Sequence, residues 1–225
     1  MYLCKNDFIS AAPTRAIKWQ SIKPVLFALA VMALLTVLTP AAMAAIKVDA
    51  PAADFTLVNS QGETVNLADF AGKYVVLEWT NHLCPYVKKH YESDNMQALQ
   101  RKYTAQDVVW LSIISSAPGK QGHVNPTQAN ELTATRKASP SHVLFDESGD
   151  VGKLYGAKTT PHMYIIDPKG TLRYTGAIDS IKSANPADIA KATNYVEVSM
   201  QSLMTGSPVG KKLTPPYGCS VKYKS

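Results

Sequence analysis

The stretch 74-YVVLEWTNHLCPYVKKHY-91 decides how the chain is read. Its first part, 74–80, is nearly continuous in apolar character, as a strand buried on both faces should be. Pro85 then suits the first turn of a helix, where its missing N–H is not needed. Val87, Tyr91, Leu99 and Tyr103 fall roughly on one helical face, and the Ser93-Asp94-Asn95 cluster marks the start of a second helical piece. Cys84 thus lies just past a strand and opens a helix, where the dipole and free backbone N–H groups stabilise a thiolate. Lys88, Lys89 and His90 in the next turn are expected to add positive field. The alternative role for such a cysteine is that of a small buried hydrophobe; its placement favours the nucleophile. A local Cys-x-x-Cys cycle is excluded, because position 87 is Val87.

Strands and helices alternate away from this stretch. Upstream, 55–58 and 64–66 flank a Ser-Gln-Gly turn as a hairpin. Downstream come a buried strand at 108–115, a helix from Asn125-Pro126 to about Lys137, a short strand at 142–145 and one or two helical turns within 149–157. Residues 162–167 and 171–176 form a hairpin around Pro168-Lys169-Gly170. A last helix is expected from Pro186 to about Met204, before a tail, 206–225, rich in Pro, Gly and Lys. The order implies an α/β fold with βαβ units and a central mixed sheet flanked by helices. Sites in such sheets lie beyond the carboxyl ends of the strands, where Cys84 falls.

Residues 1–44 read differently. Four basic residues precede the uncharged run 25-VLFALAVMALLTVL-38, and Ala42-Met43-Ala44 is a small-x-small cleavage site. This is the pattern of a secretory signal peptide, and an uncleaved membrane anchor is its alternative. Cleavage would remove Cys4 and lower the formal charge of the 225-residue chain from +6 to +3, which argues against a nucleic-acid role. The expected location is periplasmic or secreted, with one folded domain at 45–205, the tail at 206–225, and Cys84 and Cys219 as the remaining thiols.

Three strings in order resemble one family. They are Asn81-His82…Cys84-Pro85-Tyr86-Val87, the Tyr-Gly-Ala-x-x-Thr-Pro string at 155–161, and Gly218-Cys219-Ser220-Val221-Lys222, together with the opening 51–79. Over essentially the whole of 45–225 they resemble the peroxiredoxin-like redoxins of the thioredoxin-fold superfamily, the alkyl hydroperoxide reductase/thiol-specific antioxidant group. The resemblance implies a thioredoxin-like fold, thiol oxidoreductase activity, and a cis Pro161 packed against the reactive Cys84. It also implies that Thr160 and Pro161 shape the pocket and offer backbone to an extended thiol partner. Two departures stand out. The Pro-x-x-x-Thr/Ser-x-x-Cys motif of typical peroxiredoxins would need a proline where Leu77 stands and a hydroxyl where Asn81 stands; Thr80 is one position off.

A thiolate oxidised to sulfenic acid needs a second thiol to resolve it. For Cys219 three arrangements stay open: an intramolecular resolving thiol, a permanent disulfide with Cys84, or a thiol that is free or pairs with another chain. The expected pocket comprises Thr80, Asn81, His82, Pro85, Thr160, Pro161 and His162, with His82 and His162 converging on Cys84. Trp79 and Tyr86 flank it. His90, His123 and His142 are expected on helix or loop surface. Arg101, Arg136 and Arg173 are candidates to stabilise a departing oxygen anion. The spacing matches no recognised ligand pattern, so no metal and no cofactor is expected. The favoured reading is a peroxiredoxin-like antioxidant that takes a peroxide as substrate and a thiol reductant protein as partner. Its rivals are a protein thiol-disulfide oxidoreductase and a non-enzymatic binding or metal-chaperone domain.

Overall fold

The computed structural model describes residues 46–224; the expected signal peptide, its cleavage point and Cys4 lie outside them. The chain runs β1 (Thr56–Asn59), β2 (Thr64–Asn66), β3 (Val75–Trp79), α1 (Pro85–Glu92), α2 (Asn95–Thr104), β4 (Val109–Ile114), α3 (Pro126–Thr135) and β5 (His142–Phe145). There follow α4 (Asp150–Leu154), β6 (Thr159–Thr160), β7 (His162–Ile166), β8 (Leu172–Gly176), α5 (Tyr195–Met204) and β9 (Cys219–Ser220). Among the described residues no helix is long and apolar enough to cross a membrane.

Seven strands form one mixed sheet in the order β2-β1-β5-β4-β3-β7-β8, in which β3, β4 and β5 pair in parallel and the other neighbours antiparallel. This is the thioredoxin-like architecture expected from the sequence. The central strands β3, β4 and β7 are buried along their whole length. Their side chains alternate between two cores, as a period of two requires. Val76, Trp110, Met163 and Ile165 face α1, α2 and α5, whereas Leu77, Trp79, Leu111 and Tyr164 face the core shared with Phe55 and Tyr155. Each such fully buried large side chain contributes about 1.5–3 kcal/mol relative to exposure.

Two helices differ from expectation. The break between α1 and α2 falls at Asp94, in the left-handed region at φ 61°; its carboxylate caps no N–H and instead pairs with Arg101 at 2.5 Å. The expected helix 186–204 is divided into a 3-10 turn, Pro186–Lys191, and α5. Ala192, in extended geometry, ends the first piece, and Asn194 caps the second, its side chain accepting from the Glu197 N–H. Ser180 bonds the backbone of Thr193 on both sides and pulls the segment out of helical geometry, through Ser180 N–H to Thr193 O at 3.0 Å and Thr193 N–H to Ser180 Oγ at 2.9 Å.

The tail, which composition alone presents as a loose end, is docked from Lys212 to Tyr223. Thr214 joins β8 through its N–H to Thr175 O (3.1 Å) and its Oγ1, which accepts from the Ala177 N–H (2.9 Å). Two residues on from Tyr217, Cys219 pairs with Thr160 and Ser220 with Thr159 as the ladder β6–β9. Lys222 O then accepts from the Ala117 N–H (2.9 Å), and Tyr223 Oη donates to Ala157 O (2.7 Å). The approach of tail to β6 is so close that a Cβ on Gly218, at φ +140°, would lie 2.0 Å from Thr160 O. Gly218→Ala is therefore expected to cost about 2 kcal/mol or more in denaturant unfolding. Gly210→Ala, in the same tail with nothing within 4 Å of its Cβ position, serves as the near-neutral control.

Candidate functional site

The site lies where β3 ends and α1 begins. Asn81 builds the turn between them: its Oδ1 accepts from the Leu83 N–H at 2.9 Å and its carbonyl from the Cys84 N–H at 3.0 Å. Its Nδ2 donates to Gln121 O at 3.1 Å, and it packs so tightly on Gly122 that a Cβ there would lie 2.3 Å away. Asn81 is thus committed to the loop. Cys84 is the N-cap of α1, Pro85 its first residue, and the Cys84 carbonyl accepts from the N–H groups of Val87 and Lys88. The cysteine side chain is fully buried.

Across from it, the Thr160–Pro161 peptide is cis. The protonated Cys84 Sγ donates to Thr160 O at 3.1 Å, and the buried Thr160 hydroxyl has no partner of its own. Burial pushes the Cys84 thiol up, but hydrogen bonds from the Cys219 thiol and N–H, the Thr160 hydroxyl and the Val87 N–H outweigh it, so its pKa falls below the ordinary 9.0. The Thr160 hydroxyl, idle beside the thiol, becomes a donor to the thiolate. Burial and the neighbouring Cys84 push Cys219 up to about 11. The pair is asymmetric: Cys84 is the more acidic thiol, and Cys219, free and partly exposed, is the less acidic one.

The structure therefore brings Cys84, Cys219, Thr160 and Pro161 together, with Pro85 at the exposed rim. Other expectations are corrected. His162 does not converge on Cys84. It is paired with Trp79 in the β3–β7 register and shares Tyr164's face of the sheet, where its Nδ1 lies 3.1 Å from Tyr164 Oη and its Nε2 3.3 Å from Thr175 Oγ1. Trp79 fills that same opposite core, its Nε1 donating to Ser115 Oγ at 3.0 Å, so it flanks nothing at the site. Tyr86 stays beside it, edge-on to Tyr217 at 5.8 Å. His82 and Thr80 line a separate cavity of about 40 Å³ with Arg136 and Tyr91, which Cys84 does not line; the Thr80 hydroxyl has no partner there. Arg136 donates to His82 O at 3.1 Å and lies over Tyr91, while Arg101 and Arg173 are held in ion pairs with Asp94 and Asp49.

The expected positive field is largely absent. Lys89 is buried and paired with Asp179 at 3.0 Å, so its charge is compensated. His90, expected on the surface, is fully buried; desolvation lowers its pKa to about 4, with Asp179 opposing and Lys89 adding to the shift, and it is neutral. His123 and His142 are half-buried, the first with its Nε2 2.8 Å from a Glu147 carboxylate oxygen and the second 3.2 Å from Asn59. Among the described residues no cluster of His, Cys, Asp or Glu is suited to hold a metal.

Three residues escaped the sequence reading. Glu78, fully buried in β3, accepts from Tyr91, Trp110, Ser112 and Gln100 at 2.8–3.2 Å and so ties α1, α2 and β4 beneath the site. A carboxylate inside a doubly buried strand is a legible signal of such a network. Asp179 and Tyr217 carry no local signal, because what they do depends on contacts far away in sequence.

A thioredoxin-type sheet with a cysteine of lowered pKa capping a helix beside a cis-proline defines a thiol protein of the thioredoxin superfamily. The chain belongs to the AhpC/TSA family, whose sequence profile matches residues 48–175. The family is one of redoxins, with thiol oxidoreductase chemistry in general; Cys219 lies beyond the matched residues. Among solved structures, the chain is similar to an uncharacterized conserved protein from Geobacillus kaustophilus, with 26% identity, TM-score 0.70 and coverage of 79% of this chain and 93% of that one. It is also similar to a hypothetical protein from Sinorhizobium meliloti 1021, at 23% identity and TM-score 0.66 over 80% and 97% of the two chains. A putative thiol:disulfide interchange protein DsbE from Chlorobium tepidum matches at 25% identity and TM-score 0.48 over 58% and 85%. No curated protein matches the chain.

The buried histidines make stability pH-dependent. Burial lowers His162 to about 3 and His90 to about 4, from an ordinary 6.5. Below 6.5 the unfolded chain binds protons that the native state refuses, so stability is complete above that value and is lost as pH falls through about 4 and 3. Unfolding free energy is expected to drop by about 2 kcal/mol or more between neutral pH and pH 4. Denaturant titrations across this range, with His162→Gln flattening the slope, check it.

Proposed function

We propose that this protein is an exported thiol peroxidase of peroxiredoxin type, with Cys84 as the attacking thiolate and Cys219 as the resolving thiol. The observation that carries the reading is the pairing of Thr160 with Cys219, which sets two free thiols of opposite pKa shift against each other. The Cys84 thiolate attacks one oxygen of a peroxide; the O–O bond breaks, the alkoxide takes a proton and leaves as an alcohol, and Cys84 becomes a sulfenic acid. The Cys219 thiol then attacks that sulfur, giving the Cys84–Cys219 disulfide and water. An external dithiol protein returns the pair to the reduced state. Cys219 is the accessible sulfur and Cys84 the better leaving thiolate, so the reductant attacks Cys219. Export rests on the basic-then-apolar segment within 1–44.

A protein disulfide is the second substrate class, and the same two cysteines serve it. An extended peptide would pair with the edge of Thr159–Thr160, but the chain's own tail already occupies that edge. The edge expected to be open to a partner is therefore closed, which favours a small peroxide as first substrate. Against a peroxide stands Asn81, bound into its loop where a hydroxyl is expected.

Stopped-flow peroxide consumption distinguishes the two classes. Wild type is expected to form a Cys84–Cys219 disulfide stoichiometrically with peroxide, detected by mass spectrometry. Cys84→Ser abolishes consumption, and Cys219→Ser leaves a sulfenic acid on Cys84. A wild type inert to peroxide that nonetheless exchanges with a disulfide peptide selects the second class.

A further inference from the structure

The two cysteines are each continuous with a member of one buried charged cluster. Helix α1 opens at Cys84 and carries Lys89 and His90 in its next turn. The tail carries Tyr217 two residues before Cys219. Between them stands Asp179, in the loop after β8 and only 3% exposed. Its Oδ2 takes the Lys89 ammonium at 3.0 Å and its Oδ1 accepts from Tyr217 Oη and from the Ile181 N–H at 3.0 Å. Lys89 also donates to Ile181 O at 3.2 Å and lies 5.7 Å from the centre of the Tyr217 ring, and His90 Nε2 is 3.5 Å from Tyr217 Oη. Every polar end in the cluster is matched.

Such a cluster is a poor way to gain stability alone, since well-packed apolar residues in place of a buried ion pair often do as well or better. What it supplies is geometry. With Tyr217 fixed, an extended chain allows the Cα of Cys219 only about 7 Å of reach from it. The proline pair Pro215-Pro216 on the other side narrows the approach further.

We propose that Lys89, Asp179 and Tyr217 are positioning residues for the redox pair: they fasten the tail to the helix that Cys84 opens and so hold Cys219 within bonding reach. The proposal rests on the reading of Cys84 and Cys219 as a redox couple. In the reduced state an unfastened tail leaves the Thr160 edge and takes Cys219 with it, whereas the disulfide holds the tail by a covalent bond. Loss of the fastening therefore lowers the effective concentration of one thiol at the other and makes the disulfide easier to reduce.

The test is the exchange equilibrium of the full chain with glutathione, in which one oxidised glutathione converts the dithiol to the disulfide and releases two reduced glutathiones. Tyr217→Phe keeps the ring on Tyr86 and leaves the Lys89–Asp179 pair intact. Its equilibrium constant is expected to fall about tenfold, the size set by one hydrogen bond to a buried carboxylate. Asp179→Asn should fall at least as far; if it fails to fold with Lys89 unpaired, Tyr217→Phe decides alone. A merely structural role would lower the melting temperature of the reduced and oxidised forms equally and leave the constant unchanged. A folded Tyr217→Phe protein with the wild-type constant overturns the positioning role while the redox couple stands. A wild type that forms no Cys84–Cys219 bond with oxidised glutathione or peroxide overturns both.

Discussion

Thr160 and Cys219 face one another across a ladder only two residues long, and the chemistry of the site depends on that pairing. A thiolate inside a protein is costly unless donors surround it. Helix α1 supplies the Val87 N–H; the rest come from the ladder, as the Thr160 hydroxyl and the thiol and N–H of Cys219. The same pairing closes the strand edge and removes Cys84 from solvent. Activation and access are thereby set by one contact, and anything that opens the edge also withdraws the donors.

Around this contact the protein buries several polar and charged side chains. Glu78 lies under the helix pair with four donors, and Lys89 and Asp179 lie beside it as an ion pair. A buried polar group without a partner costs free energy, and partnered networks such as these admit few alternative packings. The α1–α2 hairpin is thus tied to β3 and β4 at one end and to the tail at the other. Precision in the placement of Cys84 follows from hydrogen bonds that have one geometry, more than from apolar contacts that have many.

The sheet and its neighbours were legible because their signals are local. The continuous apolar runs of β3 and β4, the turn at Pro168-Lys169-Gly170 and the cap at Asn125 each act within a few residues. The face on which His162 lies was not. Alternation along β7 is plain, but which parity meets Cys84 is fixed by the register that sets Trp79 opposite His162, and that register is a long-range fact. Lys89 and His90 misled for the converse reason. Charged residues early in a helix read as solvated and field-generating, and only the fold reveals Asp179 waiting beside them. The tail held back most. Its composition is that of a loose end, and its order derives from Thr175, Thr160, Asp179 and Ala157, all remote in sequence.

Tyr223 lies in a seat made by two missing side chains: a Cβ on Gly149 or Gly152 would meet its ring or hydroxyl at 2.5 Å or less. With Tyr217 on the near side, Cys219 sits between two moorings rather than at the end of a free strand. A segment tied at both ends does not swing; it bows. The travel of Cys219 is then limited by the slack between residues 217 and 223, so any partner that reaches its sulfur meets a shallow arch of backbone rather than an extended arm.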